Sequence, residues 1–310
     1  KLADFTTGSW ANFENPNFKL VSVNTARYDT TKHLATPVIS DAKVGLQKIS
    51  EALGDWKAPD DWYKRAIKEK NEWDAYVEKQ SGPTNQEEPS YAHAVGAVYR
   101  NSDPSDIVVT AAGGLVGEVV QVWKPKQLNT FETEWGFSCM GYEISGALGI
   151  KMAKPDQDVV VFVGDGSYLL NNTDIYSSVI YDQKLIIIVC DNGGHMVINR
   201  LQLAKGGKEY ICNLRAARAT NLKFVDFENH AKSMGANAET VSSTSELEAA
   251  YKRAKDSDKT YVITIKTHGY EWLEGTAFWE SPTLQDPITD NNKSALEDFE
   301  SGKSKQRKGV

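Results

Sequence analysis

The sequence has few cysteines and no long apolar run, and each shortage excludes a class of protein. Its 310 residues include three cysteines, Cys139, Cys190 and Cys212, and no C-x-x-C pair. A sparse, odd-numbered set argues against a disulfide framework and favours a reducing compartment. No apolar run reaches the roughly 20 residues of a membrane-spanning helix, and we recognise no signal-peptide pattern. We therefore expect a cytoplasmic protein with no membrane partner.

Positive charge is also in short supply, because the formal net charge is −7. This balance argues against a nucleic-acid partner and leaves small molecules as the expected ligands. The G-x-G-x-x-G pattern of a nicotinamide-dependent Rossmann enzyme, with an acidic residue about 20 positions on, is missing after the first strand. The apolar content of 40% is enough for the core of one large or two medium domains.

Two apolar, β-branched runs stand at the centre of the sequence, at residues 159–163 and 185–190. Their length and composition predict buried parallel strands, and residues 167–181 between them predict a crossover helix. The resulting βαβ unit indicates an α/β fold: a doubly wound parallel sheet with helices on both faces.

A carboxylate and an amide follow the ends of these two strands. Asp165 follows the first and Asn192 the second, so both side chains are expected in the crevice beyond the carboxyl ends of the sheet. Gly164 and Gly166 let the backbone approach a ligand, and Ser167 opens a helix whose free amides suit a phosphate. Such oxygen ligands suit Mg²⁺ or Ca²⁺ shared with phosphate oxygens. Each of the two glycine-rich motifs, G-D-G-S at residues 164–167 and D-N-G-G at residues 191–194, would by itself also suit an ordinary turn.

The spacing carries more information than either motif. Asn192 lies 27 positions after Asp165, and this pattern resembles the G-D-G…N signature of thiamine-diphosphate enzymes. The resemblance implies that the side chains of Asp165 and Asn192 and the main-chain carbonyl of Gly194 bind Mg²⁺. It also implies that Gly166 and Ser167 hold the diphosphate of the cofactor.

Two further segments are candidates for cofactor contacts. Gly113 and Gly114 follow an apolar run at residues 107–112 and offer a second point of close approach. Met140 precedes Asp165 by 25 positions, where thiamine-diphosphate enzymes have a large apolar side chain that supports the bent cofactor. Ordinary core packing is the alternative for Met140.

The segment after the second motif is the candidate for the substrate side. By resemblance, His195, Val197 and Ile198 would lie near the reactive ring of the cofactor. His195 is a candidate general acid or base, and equally a surface or interface histidine. Asp191 departs from the signature, since many members have a first asparagine there.

Longer stretches narrow the resemblance to the acetolactate-synthase-like group. The stretches EWGFSCMGYEISGALG and DNGGHMVINRLQ are most similar, within that group, to ring-opening hydrolases of myo-inositol catabolism. The implied reaction is hydrolytic C–C cleavage of a cyclic 1,2-diketone to 5-deoxy-glucuronate. Alternatives are a 2-oxo-acid ligase or decarboxylase with the same cofactor, and an inactive cofactor-binding fragment.

The resemblance also implies a division of the chain and a missing part. We expect the end of a middle domain, a helical linker, the diphosphate and Mg²⁺ domain, and a loosely ordered polar tail, at residues 1–54, 55–90, 91–280 and 281–310. The pyrimidine-binding domain and its activating glutamate are not recognised in the sequence. We therefore expect a homo-oligomer, dimer or tetramer, in which a partner subunit supplies that domain, and an inactive isolated chain.

Overall fold

The computed structural model describes residues 2–134, 136–275 and 277–307. Trp135, within the glycine-rich stretch singled out from the sequence, lies outside the described residues. The chain forms two compact units. The smaller comprises Lys1–Lys70, Ala204–Gly207 and Gly275–Val310, and the larger comprises Asn71–Leu203 and Lys208–Glu274.

Strands and helices alternate along most of the chain. In the described part, the strands β1 to β8 are Val21–Asn24, Thr36–Ile39, Ile107–Thr110, Phe131–Thr133, Val159–Gly164, Ile186–Asp191, Asn237–Val241 and Tyr261–Lys266. The helices α1 to α13 are Asp4–Thr7, Arg27–Thr31, Ala42–Leu53, Asp60–Gln80, Tyr91–Arg100, Gly113–Val122, Tyr142–Ala153, Asp165–Leu170, Asp174–Ile180, Met196–Ala204, Phe227–Ser233, Thr244–Asp256 and Asp290–Ser304. Short 3₁₀ turns lie at Ala11–Phe13, Lys32–Leu34 and Leu214–Ala216. None of the described helices combines the length and the apolar character that crossing a membrane requires.

The smaller unit contains a parallel pair of strands, β1 and β2. In the larger unit a six-stranded sheet has the order β4-β3-β5-β6-β8-β7, and every pairing is parallel. The predicted α/β class is confirmed.

The alternation of side chains along β5 shows how the sheet is covered on both faces. Val160 and Phe162 point into a core shared with α5, α6 and α12. Val159, Val161 and Val163 point to the opposite core, shared with α7, α9 and α11. Because both faces are buried, the strand is apolar throughout, and this is why it reads as an uninterrupted apolar run.

The strand order places a crevice beside β5. From β3 the chain passes outward to β4 and then returns to β5 on the other side of β3. The helices α6 and α7, which follow β3 and β4, pack on opposite faces of the sheet. Such a reversal opens a crevice beyond the carboxyl ends of β3 and β5, where open α/β sheets bind ligands.

The single crossover helix predicted over residues 167–181 is wrong. Two helices, α8 and α9, occupy the stretch, and Asn171 between them has an extended backbone. The Asn172 amide donates to the carbonyl of Tyr168, and the Asn171 amide donates to the hydroxyl of Ser145. Asparagine side chains compete with the helical backbone for such hydrogen bonds, and this ends α8.

The tail is also more ordered than its composition indicates. Residues 281–310 were expected to be loosely ordered, but the helix α13 fills half of this stretch. The Thr289 hydroxyl accepts a hydrogen bond from the backbone N–H of Asn292 and caps the helix. Ala295 and Phe299, one turn apart, are buried. Two buried apolar residues and the buried Asn292, whose amide donates to the carbonyls of Lys205 and Gly206, hold a helix that is otherwise polar.

Candidate functional site

The first candidate ligand, Asp165, lies at the end of β5 beside the end of β6. The register pairs Gly164 with Cys190, so the next residues, Asp165 and Asp191, stand side by side. The Asp165 side chain is buried, and its Oδ2 accepts a hydrogen bond of 2.7 Å from the backbone N–H of Gly194. Two residues that the sequence assigns to one metal site are thus in direct contact.

The surroundings of Asp165 favour a cation. Burial and then the negative charge of Asp191 raise the pKa of Asp165 to about 7. Within the described ranges, no Lys, Arg or His side chain forms an ion pair with Asp165. A divalent cation would offset both the burial of the carboxylate and the repulsion between the two acids.

Asn192 presents an oxygen with no partner. Its side chain is buried, and its Nδ2 donates a hydrogen bond of 2.7 Å to the hydroxyl of Tyr91. Its Oδ1 is buried and has no hydrogen-bond partner among the described residues. A buried acceptor without a donor is costly, and a hard cation would satisfy it. The donor set of Asp165 and Asn192 therefore fits Mg²⁺.

The third candidate ligand, the carbonyl of Gly194, belongs to a tightly constrained turn. Gly193 and Gly194 have φ values of +81° and +138°. A Cβ at Gly194 would lie 2.4 Å from the carbonyl oxygen of Cys212. The backbone N–H of Leu214 donates to the carbonyl of Gly193 at 3.0 Å, and Gly194 forms an antiparallel bridge with Asn213. Only glycine suits this turn, which the following segment holds in place.

The side chain of Ser167 belongs to a buried hydrogen-bond network. Its hydroxyl donates to Oε1 of Glu143 at 2.8 Å and accepts from the backbone N–H of Gly141 at 3.0 Å. The side chain that the sequence assigns to the diphosphate therefore bonds to protein in this structure. A role of Ser167 toward phosphate stays a prediction.

His195 lies against the predicted diphosphate turn. A Cβ at Gly166 would lie 2.6 Å from Cε1 of the His195 ring, so glycine there makes room for the imidazole. His195 is exposed, and it precedes α10, whose first turn carries Val197 and the exposed Ile198. His195, which follows the second glycine-rich motif, thus lies against Gly166 of the first.

The two other candidate segments for cofactor contacts, Gly113 with Gly114 and Met140, also lie at the carboxyl end of the sheet. Gly113 has a φ of +77° and open space where a Cβ would stand. At Gly114, a Cβ would lie 2.2 Å from the Trp272 ring, so packing already accounts for that glycine. Met140 is 37% exposed and precedes Gly141 of the Glu143 network. Their roles toward a cofactor stay predictions.

Sequence reasoning missed Tyr91 and Glu143. Tyr91 lies 101 residues before its partner Asn192, so no local pattern links them. Glu143 is fully buried in a helix of small and apolar residues. A lone acid in such a helix was the available signal, because buried carboxylates are rare unless they are paired.

No cluster of three or more His, Cys, Asp or Glu side chains suited to a metal occurs in the part of the chain that the structure describes. The candidate centre is of another kind. It combines one carboxylate, Asp165, with the amide oxygen of Asn192 and the backbone carbonyl of Gly194, and hard cations accept such mixed oxygen sets.

Comparison with curated proteins gives relatives over nearly the whole chain. A 3D-(3,5/4)-trihydroxycyclohexane-1,2-dione hydrolase of Lacticaseibacillus casei is 31% identical over 97% of this chain and 51% of its own length. The protein of the same name from Bacillus licheniformis is 33% identical over 89% of this chain and 48% of its own length. The chain thus spans about half the length of the curated relatives it matches.

Solved structures support the fold. The thiamine diphosphate-dependent 4-hydroxybenzoylformate decarboxylase of Rhodococcus jostii RHA1 superposes with a TM-score of 0.62 at 15% identity, covering 82% of this chain and 44% of its own. The benzoylformate decarboxylase of Polynucleobacter necessarius gives a TM-score of 0.51 at 21% identity, covering 62% of this chain and 36% of its own. At these identities the likeness extends to the fold alone.

The family comparison covers the sheet and its site. Residues 111–265, half of the chain, match the C-terminal TPP-binding domain of thiamine pyrophosphate enzymes. This range contains β4 to β7, all but the last residue of β8, and both glycine-rich motifs. The chain therefore belongs to the thiamine pyrophosphate enzymes, and residues 111–265 are its domain for that cofactor.

Proposed function

We propose that the chain is the C-terminal part of a thiamine-diphosphate and Mg²⁺ dependent hydrolase that cleaves a C–C bond in a cyclic 1,2-diketone. One observation carries the proposal. Relatives named 3D-(3,5/4)-trihydroxycyclohexane-1,2-dione hydrolase match 87–97% of this chain at 31–33% identity, well beyond the cofactor domain. The substrate class is taken from that printed name.

The division of the chain is part of the same proposal. Residues 1–54 would be the end of a middle domain and residues 55–90 a helical linker. Residues 91–280 would be the diphosphate and Mg²⁺ domain, and residues 281–310 a polar tail.

Two groups of residues would hold the cofactor and its metal. Asp165 and Asn192, with the carbonyl of Gly194, would bind Mg²⁺, as the unpartnered oxygen of Asn192 supports. Gly113, Gly114, Gly164, Gly166 and Ser167 would contact the diphosphate or the ring, and the side chain of Met140 would support the bent cofactor. Bound thiamine diphosphate would supply a nucleophilic carbanion and a positively charged ring that accepts electrons during C–C cleavage.

His195, Val197 and Ile198 would face the substrate. The imidazole of His195 is exposed and touches Gly166, so it stands between the diphosphate turn and α10. From there it would give or take a proton at a substrate oxygen. Ile198, an exposed apolar side chain in the first turn of α10, would help to exclude water from the reacting bond.

Assembly completes the proposal. The pyrimidine-binding domain and its activating glutamate would come from a partner subunit of a homo-oligomer, so this chain alone would be inactive. Restored activity on addition of a pyrimidine-binding portion would support that arrangement, and full activity of the chain alone would contradict it.

Product analysis tests the function. The protein, whose intact mass is first compared with the 34.3 kDa of this chain, is assayed with a trihydroxycyclohexane-1,2-dione and, separately, with pyruvate. Each assay contains thiamine diphosphate and Mg²⁺ and, if the mass is that of this chain, an added pyrimidine-binding portion. Conversion of the dione to a ring-opened acid is expected. Conversion of pyruvate alone would indicate a 2-oxo-acid ligase or decarboxylase, and no conversion of either would favour an inactive cofactor-binding protein.

A further inference from the structure

A buried carboxylate joins three loops at the carboxyl end of the sheet. Glu143, in the first turn of α7, is 0% exposed. Its Oε1 accepts from the backbone N–H of Ala112 at 3.2 Å and from the hydroxyl of Ser167 at 2.8 Å, and its Oε2 accepts from the backbone N–H of Gly141 at 2.8 Å. The three donors lie in three separate segments, named the cofactor loops below: the loop that follows β3, the loop that precedes α7, and the first turn of α8, which follows β5.

Each donor stands next to a residue that the sequence assigns to the cofactor. Ala112 precedes Gly113, Gly141 follows Met140, and Ser167 follows Gly166. The Glu143 side chain itself is sealed from solvent, so it acts on a ligand through these neighbours.

We propose that Glu143 is a positioning residue that holds the three cofactor loops in register with one another. The inference rests on the cofactor domain identified above and is independent of the proposed ring-opening reaction.

The chemistry of the site requires a carboxylate. All three groups facing Glu143 donate hydrogens, and an ionised carboxylate is the common side chain that only accepts. Glutamine would turn its NH₂ group toward the N–H of either Gly141 or Ala112, and two hydrogen-bond donors would then face each other. Turned toward Ala112, it removes the bond that this N–H makes to residue 143; turned toward Gly141, it leaves that N–H only its bond of 3.0 Å to the Ser167 hydroxyl.

The alternative is that Glu143 stabilises the fold without shaping the site. The chain provides a matched control in Asp106, a buried carboxylate just before β3, at the amino end of the sheet. Asp106 also accepts from three groups: the backbone N–H of Asp103, the hydroxyl of Tyr251 and the ammonium of Lys255. Loss of either carboxylate should lower stability, but only Glu143 contacts the cofactor loops.

Hydrogen exchange measured by mass spectrometry on Glu143→Gln and Asp106→Asn separates the two accounts. The peptides to follow cover residues 111–114, 139–142 and 165–168, without cofactor and well below the unfolding temperature. We expect exchange to rise about threefold or more in all three peptides of Glu143→Gln and to stay at the wild-type level in Asp106→Asn. Residues 165–168 are the most informative, because no backbone amide there bonds to Glu143.

Affinity for thiamine diphosphate with Mg²⁺ is the second readout, measured with the pyrimidine-binding portion present. We expect Glu143→Gln to weaken it about tenfold and Asp106→Asn to leave it unchanged. Glu143→Asp, which keeps an acceptor-only group on a shorter stem, should fall between wild type and Glu143→Gln. A rise in exchange confined to residues 139–142, or equal losses of affinity in Glu143→Gln and Asp106→Asn, would overturn the proposal. Neither readout uses the dione, so failure of the proposed ring opening would leave both intact.

Discussion

The hydroxyl of Tyr91 accepts a hydrogen bond from Nδ2 of Asn192 at 2.7 Å. This contact fixes which way the Asn192 amide points, because the nitrogen is held by the tyrosine and the oxygen is left without a partner. The ring of Tyr91 is in turn held edge-on by Trp272, with the ring centroids 5.6 Å apart. A helix outside the cofactor motifs therefore orients one of the candidate metal ligands.

Removal of this hydroxyl should weaken metal binding. In Tyr91→Phe the Asn192 amide loses the acceptor that fixes its orientation, so we expect affinity for Mg²⁺, titrated with thiamine diphosphate and the pyrimidine-binding portion present, to fall about tenfold. Tyr99→Phe is the control, because it removes a hydroxyl from the same helix α5 while the ring can keep its packing on Trp123. Equal Mg²⁺ affinities in the two variants would show that Tyr91 does not orient Asn192.

Gly194 should tolerate no side chain. Its φ of +138° and the 2.4 Å distance from a built Cβ to the Cys212 oxygen add backbone strain to a direct clash. We expect Gly194→Ala to lower the free energy of unfolding by about 3 kcal/mol or more, measured by chemical denaturation.

A second glycine serves as the reference for that measurement. Gly117 lies inside α6, and apart from the backbone of its own helix and its chain neighbours no atom lies within 4 Å of a built Cβ. Gly117→Ala should raise stability by up to about 1 kcal/mol, because alanine favours the helix. A loss of stability in Gly117→Ala as large as in Gly194→Ala would contradict the steric account.

Glu118 should make stability depend on pH. It is 3% exposed, its Oε1 accepts from the backbone N–H of Leu273 at 3.0 Å, and its Oε2 has no partner among the described residues. Burial raises the pKa of Glu118 to about 7. The folded chain therefore keeps a proton that the unfolded chain releases near pH 4.3. From this group alone, the free energy of unfolding falls as pH rises from about 4.3 to 7.

Glu118→Gln removes the titrating carboxyl group and with it this pH dependence. Between pH 5 and pH 8 we expect wild type to lose about 2–3 kcal/mol more than the variant, an order-of-magnitude figure from the pKa shift. Denaturant titrations of both proteins at the two pH values check this difference. Identical pH dependence in wild type and variant would mean that Glu118 titrates near its ordinary pKa in the folded chain.

The parts of the fold that could be predicted are those with a strong local signal. The strands β5 and β6 are apolar throughout because both faces of the sheet are covered, so their runs were visible without knowledge of their neighbours. The break at Asn171 was not predicted, because the side-chain bond to Ser145 comes from another helix, α7. The helix α13 was missed because composition alone hides two apolar residues on one face.

The same distinction applies to the candidate site. Asp165 and Asn192 could be found because adjacent parallel strands bring their carboxyl ends to one edge, so a fixed spacing in sequence becomes a contact in space. Tyr91 and Glu143 act across separations of 101 and 24–31 residues, through bonds that depend on how α5 and α7 pack on the sheet. No spacing rule in a single sequence encodes those contacts.

The most direct test of the account is whether Asp165 makes cofactor binding depend on Mg²⁺. Thiamine diphosphate is titrated by calorimetry into wild type and Asp165→Ala, each with the pyrimidine-binding portion present, with Mg²⁺ and then with EDTA. We expect binding to wild type with Mg²⁺ and a loss of at least about 100-fold in affinity both with EDTA and in Asp165→Ala, while the variant stays folded. Affinity in Asp165→Ala equal to that of wild type would contradict the assignment of the metal site.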